Sequence, residues 1–243
     1  MLALHELSAL KEGKIPRHIA IIPDGNRRWA KGRALKTKEG HEKGADGLME
    51  IVKTAKGMGV EAITFYSFST ENWNRSKEEI EGLMWLIETY LKSQLETMKQ
   101  EGIQFHAIGH LDPLPDSLKS QLRISSEETK SSNTIKLTLA LNYGGRDEIT
   151  RALRKIASQV ASQKIDIHEI DETMISNALD TRFLSDPDLL IRTSGECRLS
   201  NFLLWQLSYA EMVISPVLWP DFTPRHLAEA VQVFQQRERR RGG

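Results

Sequence analysis

The sequence predicts one α/β domain built on a mainly parallel β-sheet with helices on its faces, and three observations predict it. Short β-branched runs alternate with longer stretches of helical apolar spacing. The strand-like runs are followed by polar, mostly glycine-bearing segments, as expected where a parallel strand gives way to its crossover. No Pro/Gly/Ser-rich linker and no fixed-period repeat divides the 243 residues. We therefore expect a single domain over residues 15–243, preceded by an N-terminal extension, residues 1–14.

In chain order, residues 19–22 form the first apolar run and predicted strand. Leu48, Ile51, Val52, Ala55 and Met58 then fall on one face of a helix. Residues 62–68 are the second strand, and Ile80, Leu83, Met84, Ile87, Leu91, Leu95 and Met98 mark a longer amphipathic helix. Strands at 103–108 and 135–141 follow, then a helix over about 147–160 and a polar connection over 158–171. The fifth strand is 189–192, a sixth is read at 212–214, and a closing helix runs over 225–237. Arg239, Arg240 and Arg241 read as a solvated helix end, where cations are favourable.

Composition narrows the function. The 33 Lys+Arg balance 33 Asp+Glu, which excludes the basic excess of a general nucleic-acid binder. A single cysteine, Cys197, cannot form an internal disulfide, so a reducing cytoplasmic setting is expected. No apolar run reaches the roughly 20 residues of a membrane span.

The chemistry is expected where the strands end, because ligands of open parallel sheets bind at the carboxyl edge. Asp24, Gly25, Asn26, Arg27, Arg28 and Trp29 follow the first strand, and Ser69, Thr70, Glu71, Asn72, Trp73, Asn74 and Arg75 the second. Asn142 to Arg146 follow the fourth, while Arg192, Ser194, Gly195, Glu196 and Arg198 end or follow the fifth. Guanidinium forks match phosphate oxygens, and the glycines let backbone N–H groups approach an anion. The implied ligand is polyanionic, most simply a phosphate or diphosphate. Asp24 among these arginines suits a Mg²⁺ ion that bridges diphosphate oxygens, or else a turn cap; Glu211, after an apolar stretch, suits a metal or an arginine partner. Nucleotide-binding glycine loops, a G-x-S-x-G elbow and a zinc-spaced helical His pair are missing from the sequence.

These residues carry a resemblance. The run His18-Ile-Ala-Ile-Ile-Pro-Asp-Gly-Asn-Arg-Arg-Trp-Ala-Lys31 resembles the first signature of the cis-prenyltransferases. Gly40-His41 with Gly44, Phe68-Ser-Thr-Glu-Asn-Trp-Asn-Arg75, Leu141-Asn-Tyr-Gly-Gly-Arg146, the block 190–211 and Trp219-Pro-Asp-Phe222 match in order, with the bacterial undecaprenyl diphosphate synthases the most similar branch. Pro23, Arg27 and Thr37 depart from the usual bacterial residues, so Lys36 or Lys38 would have to supply an arginine's contact near Thr37.

The resemblance implies a six-stranded parallel sheet with an apolar product tunnel and a Mg²⁺-dependent transferase that adds isopentenyl diphosphate repeatedly to farnesyl diphosphate. It implies that Asp24 holds Mg²⁺ and the allylic diphosphate. Gly25, Asn26, Arg27, Arg28 and Trp29 would cradle that diphosphate, with His41 a further contact. Ser69, Thr70 and Glu71 would contact substrate, Asn72 would accept or relay a proton, and Trp73 and Arg75 would lie on a mobile flap. Arg192, Arg198, Leu199 and Ser200 would form the isopentenyl diphosphate site, and Glu211 the second metal-linked carboxylate. A homodimer, peripheral membrane contact through a lipid product and no nucleic-acid partner are also implied. The alternatives are a different product length, or a non-catalytic subunit of the same fold.

Overall fold

The computed structural model describes Leu7 and residues 10–237. Six strands, β1 (His18–Ile22), β2 (Ala62–Ser69), β3 (Ile103–Ile108), β4 (Ile135–Tyr143), β5 (Leu189–Arg192) and β6 (Glu211–Ile214), form one sheet in the order β3-β4-β2-β1-β5-β6. Every pairing is parallel. The chain leaves β1 toward β2 and later returns to the other side of β1 as β5. That reversal opens a crevice at the carboxyl ends of β1 and β5, the usual ligand position in such sheets.

Side chains alternate along each strand and so feed two layers. Ile19, Ile21, Ile63, Phe65, Phe105 and Leu137 enter the larger core. There they meet α3 (Leu48–Met58), α4 (Lys77–Gln100) and α8 (Pro224–Gln235). Ala20, Ile22, Ala140, Tyr143 and Leu190 face a smaller core, closed by Phe202, Leu203 and Leu207.

Four helices lie outside the predicted pattern: α1 (Asn26–Gly32), α2 (Thr37–Asp46), α5 (Asp116–Glu128) and α7 (Glu172–Ala178). In α2 (Thr37–Asp46) the apolar stripe is replaced by Gly40 and Gly44, which let it lie against α1 (Asn26–Gly32). A Cβ at Gly40 would stand 2.3 Å from the Asn26 carbonyl oxygen, and one at Gly44 2.5 Å from the Asn26 side-chain oxygen. In α5 (Asp116–Glu128) the buried face mixes Leu118 and Leu122 with Gln121 and Ser125, which blurs its periodicity. The remaining helices, α6 (Gly145–Ala161) and α7 (Glu172–Ala178), flank the polar connection. Near the start of the chain, Leu10 is buried in the larger core and its carbonyl accepts a hydrogen bond from Gln235, so the predicted extension is partly built into the domain. The run Arg239 to Arg241 lies outside the described residues.

Candidate active site

At the carboxyl edge the chain turns sharply after β1. Gly25 has φ +113°, and a Cβ there would meet Leu218 at 2.9 Å, so glycine serves both the left-handed backbone and the close approach. Trp219 N–H donates to the Asp24 carbonyl oxygen at 3.0 Å, and the Thr193 hydroxyl donates to it at 2.6 Å. These bonds fix the turn that presents the Asp24 carboxylate.

A cradle of about 490 Å³ opens there, lined by Asp24, Asn26, Arg27, Arg28, His41, Arg75, Glu196 and Arg198 among others. An inner pocket of about 230 Å³ shares Asp24, Asn26, His41 and Arg75 with it and adds Tyr66, Ser69, Asn72, Arg192 and Ser200. A third cleft, about 670 Å³, runs between α2 and α4 past Leu35, Leu83 and Leu86. The register between β2 and β4 shifts twice between Tyr66 and Ser69, a bulge that re-aims the end of β2.

Arg192 is the buried anchor. Its guanidinium, 4% exposed, donates to Asp24 Oδ2 at 3.0 Å and to Ser200 Oγ at 2.8 Å, and also to the Arg198 carbonyl oxygen. Its Nε has no protein partner, leaving one buried donor for an acceptor from outside the chain. Burial works against the charged form of Asp24, but the hydrogen bond and charge of Arg192, reinforced by Arg28, hold the carboxyl below its usual range. Arg28 reaches Asp24 Oδ1 at 3.4 Å and Glu196 at 3.4 Å, and donates to the Ser194 carbonyl oxygen at 3.2 Å. Arg198 donates to the other Glu196 oxygen at 2.5 Å.

Opposite, Glu79 Oε1 receives Arg75 at 2.9 Å and His41 at 3.3 Å, with Arg27 4.0 Å away. Burial would raise the Glu79 carboxyl, and Arg75, His41 and Arg27 reverse this and hold it low. Desolvation lowers His41 and outweighs the opposing pull of Glu79, which leaves the imidazole mainly neutral near pH 7.

Most residues predicted for the site meet there, and six do not: Trp29, Thr70, Glu71, Trp73, Leu199 and Glu211. Trp29 turns away: its indole N–H donates to Asp221 at 2.8 Å and its ring lies under Arg33, so it fastens α1 from behind. Leu199 packs into the smaller core. Trp73 lies outside both pockets and donates to Asn142 Oδ1 at 2.7 Å. Glu211 is the clearest correction. It starts β6, in register with Leu189 and through it with Ile19, whereas Asp24 lies beyond the far end of β1. At about 3.3 Å per residue the two carboxylates of one chain are separated by roughly the length of the strands and cannot share an ion. Glu211 instead accepts from Arg237 at 2.7 Å.

Thr70 and Glu71 stand at the rim, where Glu71 accepts from Asn201 at 3.0 Å. Lys38 is engaged with Glu42 and the Trp85 ring, and neither Lys36 nor Lys38 lines the cradle. Sequence reasoning overlooked Glu79, although its i,i+4 spacing from Arg75 across a helix start was visible. It also overlooked Tyr66, whose hydroxyl donates to the carbonyl oxygens of Tyr143 and Ser200 at 3.1 and 3.2 Å.

Among the described residues no group of three His, Cys, Asp or Glu could hold a metal ion. The cradle does fit Mg²⁺ in its usual manner with phosphates, where one or two carboxylates suffice and substrate oxygens and water complete the shell. Asp24 Oδ1, with Arg28 no nearer than 3.4 Å, is the oxygen available for it.

Fold and site together define an α/β enzyme with a cradle of arginines around one aspartate, joined to a cleft of mixed polar and apolar lining. A family profile described as "Putative undecaprenyl diphosphate synthase" matches residues 22–242. The isoprenyl transferase of Chlamydia trachomatis is 44% identical over 250 residues, covering 99% of each chain. The crystal structure of lavandulyl diphosphate synthase from Lavandula x intermedia, in complex with dimethylallyl diphosphate, superposes with a TM-score of 0.92 at 38% identity, covering 94% of this chain and 99% of that one. A probable undecaprenyl diphosphate synthase from Campylobacter jejuni gives a TM-score of 0.79 at 32% identity over 95% and 100% of the two chains. This chain belongs to the undecaprenyl diphosphate synthase family of isoprenyl transferases. Among the described residues no helix is long and apolar enough to cross a membrane.

Proposed function

We propose that the chain condenses isopentenyl diphosphate repeatedly with an allylic diphosphate, farnesyl diphosphate, to give a long cis-polyprenyl diphosphate of undecaprenyl length, a lipid carrier for cell-wall precursors. The observation that carries this is the basic lining of two adjoining pockets that share Asp24: Arg28, His41, Arg75 and Arg198 in the cradle, and His41, Arg75, Arg192 and Ser200 in the inner pocket.

In each cycle the allylic C–O bond breaks, the diphosphate departs with the bonding electrons, and the double bond of isopentenyl diphosphate forms the new C–C bond and then loses a proton. Arg28 and Arg75 face the leaving diphosphate, where negative charge grows, so they stabilise the transition state more than the ground state. Bound Mg²⁺, held by Asp24 and phosphate oxygens, would supply further neutralisation of that charge. Arg192 and Arg198 hold the incoming diphosphate and orient its double bond. Asn72 lines the inner pocket, but its Oδ1 accepts from Ser69 N–H at 3.1 Å. An amide is a poor base, so Asn72 positions substrate while a phosphate oxygen takes the proton. The growing chain enters the cleft between α2 and α4, which makes Leu35, Leu83 and Leu86 the first apolar contacts of a product tunnel.

The close superposition on lavandulyl diphosphate synthase favours a second reading with the same site and a shorter product. A non-catalytic role is disfavoured by the intact set of Asp24, Asn72, Arg192, Arg198 and Ser200. We further propose a cytoplasmic homodimer that meets the membrane surface through its product and binds no nucleic acid; light scattering tests the dimer.

Incubation with farnesyl diphosphate, labelled isopentenyl diphosphate and Mg²⁺, then chromatography of the dephosphorylated products, tests the reaction. A ladder ending at a long product is expected. Arrest after one or two additions selects the shorter reading, and no incorporation with or without Mg²⁺ refutes both.

A further inference from the structure

We propose that Asn142, at the end of β4, is a positioning residue for prenyl transfer: its amide latches the Thr70–Asn74 turn by holding the Trp73 indole. The role in catalysis rests on the reaction proposed above; the latch itself does not.

Asn142 is a buried non-glycine residue in the left-handed region, with φ 45°. That conformation is costly for most side chains and better tolerated by asparagine. Glycine would adopt it without strain, so the backbone alone does not call for an amide. What the amide adds is two bonds in opposite directions. Its Nδ2 donates to the His110 carbonyl oxygen at 2.7 Å, and its Oδ1 accepts from Trp73 Nε1 at 2.7 Å. The carbonyl can only accept and the indole can only donate, so the two partners together fix which end of the amide faces which.

The other side of the bridge is firm. His110 N–H donates to the Asn142 carbonyl oxygen at 3.2 Å, and the preceding Gly109 packs so closely that a Cβ there would stand 2.0 Å from the Leu141 carbonyl oxygen. Asn142 thus couples the β3 and β4 ends, which hold no substrate group, to the turn that carries Asn72 and leads to Arg75.

Within and beside the turn, Asn72 Oδ1 accepts from Ser69 N–H and the Trp73 ring packs edge-on against Phe68, and two further side-chain bonds leave it. Glu71 to Asn201 is solvent-exposed, and Arg75 to Glu79 uses a guanidinium that a bound diphosphate would recruit. The part-buried Trp73–Asn142 bond is the polar tie from the turn to β4, and it does not depend on Arg75. It keeps Asn72 on the inner pocket while Trp73 stays outside.

The test is a double-mutant cycle with Asn142→Gly and Trp73→Phe, read in two ways. Asn142→Gly retains the left-handed backbone, and Trp73 is a partly exposed residue, so Trp73→Phe serves if the first variant folds poorly. In the unliganded protein, hydrogen exchange at the Thr70–Arg75 amides should quicken about tenfold in each variant, while β4 and α6 stay protected. In steady-state assays kcat should fall about tenfold in each variant, with a smaller rise in KM for isopentenyl diphosphate, and the double variant should lose no more than either single one. Unchanged exchange at the turn, or kcat losses that multiply in the double variant, would overturn the proposal. If the unmodified chain does not condense the two diphosphates, the reaction assigned above fails, and the exchange experiment still decides the latch because it needs no turnover.

Discussion

The cradle has two carboxylate–guanidinium halves that use the same chemistry on different supports. Asp24 and Arg192 come from adjacent strand ends, where Ile22 pairs in register with Arg192, and the guanidinium is almost wholly buried. Glu79 sits in the first turn of α4 and gathers His41 from α2, Arg75 from the end of the turn after β2 and the exposed Arg27 from α1. The first half is anchored in the sheet, with its guanidinium buried. In the second, one carboxylate oxygen gathers cationic and imidazole groups that the proposed diphosphate would take over.

The largest effect should come from breaking the first half. Asp24→Ala should lower kcat by on the order of 10²- to 10³-fold, since it removes the carboxylate proposed for Mg²⁺ and leaves Arg192 without its counter-charge. Steady-state kinetics checks this, with a stability loss in denaturant titration as the companion signal.

Arg198, on the same side but exposed, should behave differently. Arg198→Ala should raise KM for isopentenyl diphosphate by about 10- to 150-fold, the worth of one charge-assisted hydrogen bond at roughly 1.5–3 kcal/mol. The KM for farnesyl diphosphate should move much less. The reverse pattern would exchange the two substrate positions.

Gly40→Ala tests the support of the second half without touching a charge. The added methyl group meets a backbone oxygen at 2.3 Å, so α2 must withdraw from α1. We expect a loss of about 1–3 kcal/mol in urea unfolding, with His41 carried away from the cradle.

The smallest effect separates His41 from the carboxylates by pH. Burial depresses His41 from 6.5, so the unfolded chain binds that proton first; stability supplied by the neutral imidazole is present above pH 6.5 and is lost as pH falls toward its lowered folded value. His18 and His106, both lowered to about 4, add to the same slope between pH 6.5 and about 4. The depressed carboxyl of Asp24 acts in another window: its contribution is complete above 3.8 and is lost below that as pH falls through its folded value. Urea midpoints measured from pH 8 to 3 should show the histidine slope first, made shallower by His41→Gln.

Much of this was readable because strands followed by charged loops announce both themselves and their chemistry. Asp24, Arg28, Arg75, Arg192 and Arg198 were read that way, Ser200 came only with the family resemblance, and β3 and β5 fall on their predicted residues. Motif membership did not say which way a side chain points. Trp29 is one residue beyond Arg28, yet a helix turns about 100° per residue, enough to carry the indole to the back of α1. Glu211 likewise begins its strand, so its distance from Asp24 follows from register.

The sequence by itself determined the parallel α/β sheet and the gathering of arginines and Asp24 at its carboxyl edge, because period, burial and charge are local properties. Only the tertiary structure decided that two glycines seat α2 on α1, that Glu79 gathers three cations and that Asn142 holds Trp73. Each of these depends on distances between segments far apart in the chain, and backbone contact and side-chain direction at such a junction leave no periodic trace in the sequence.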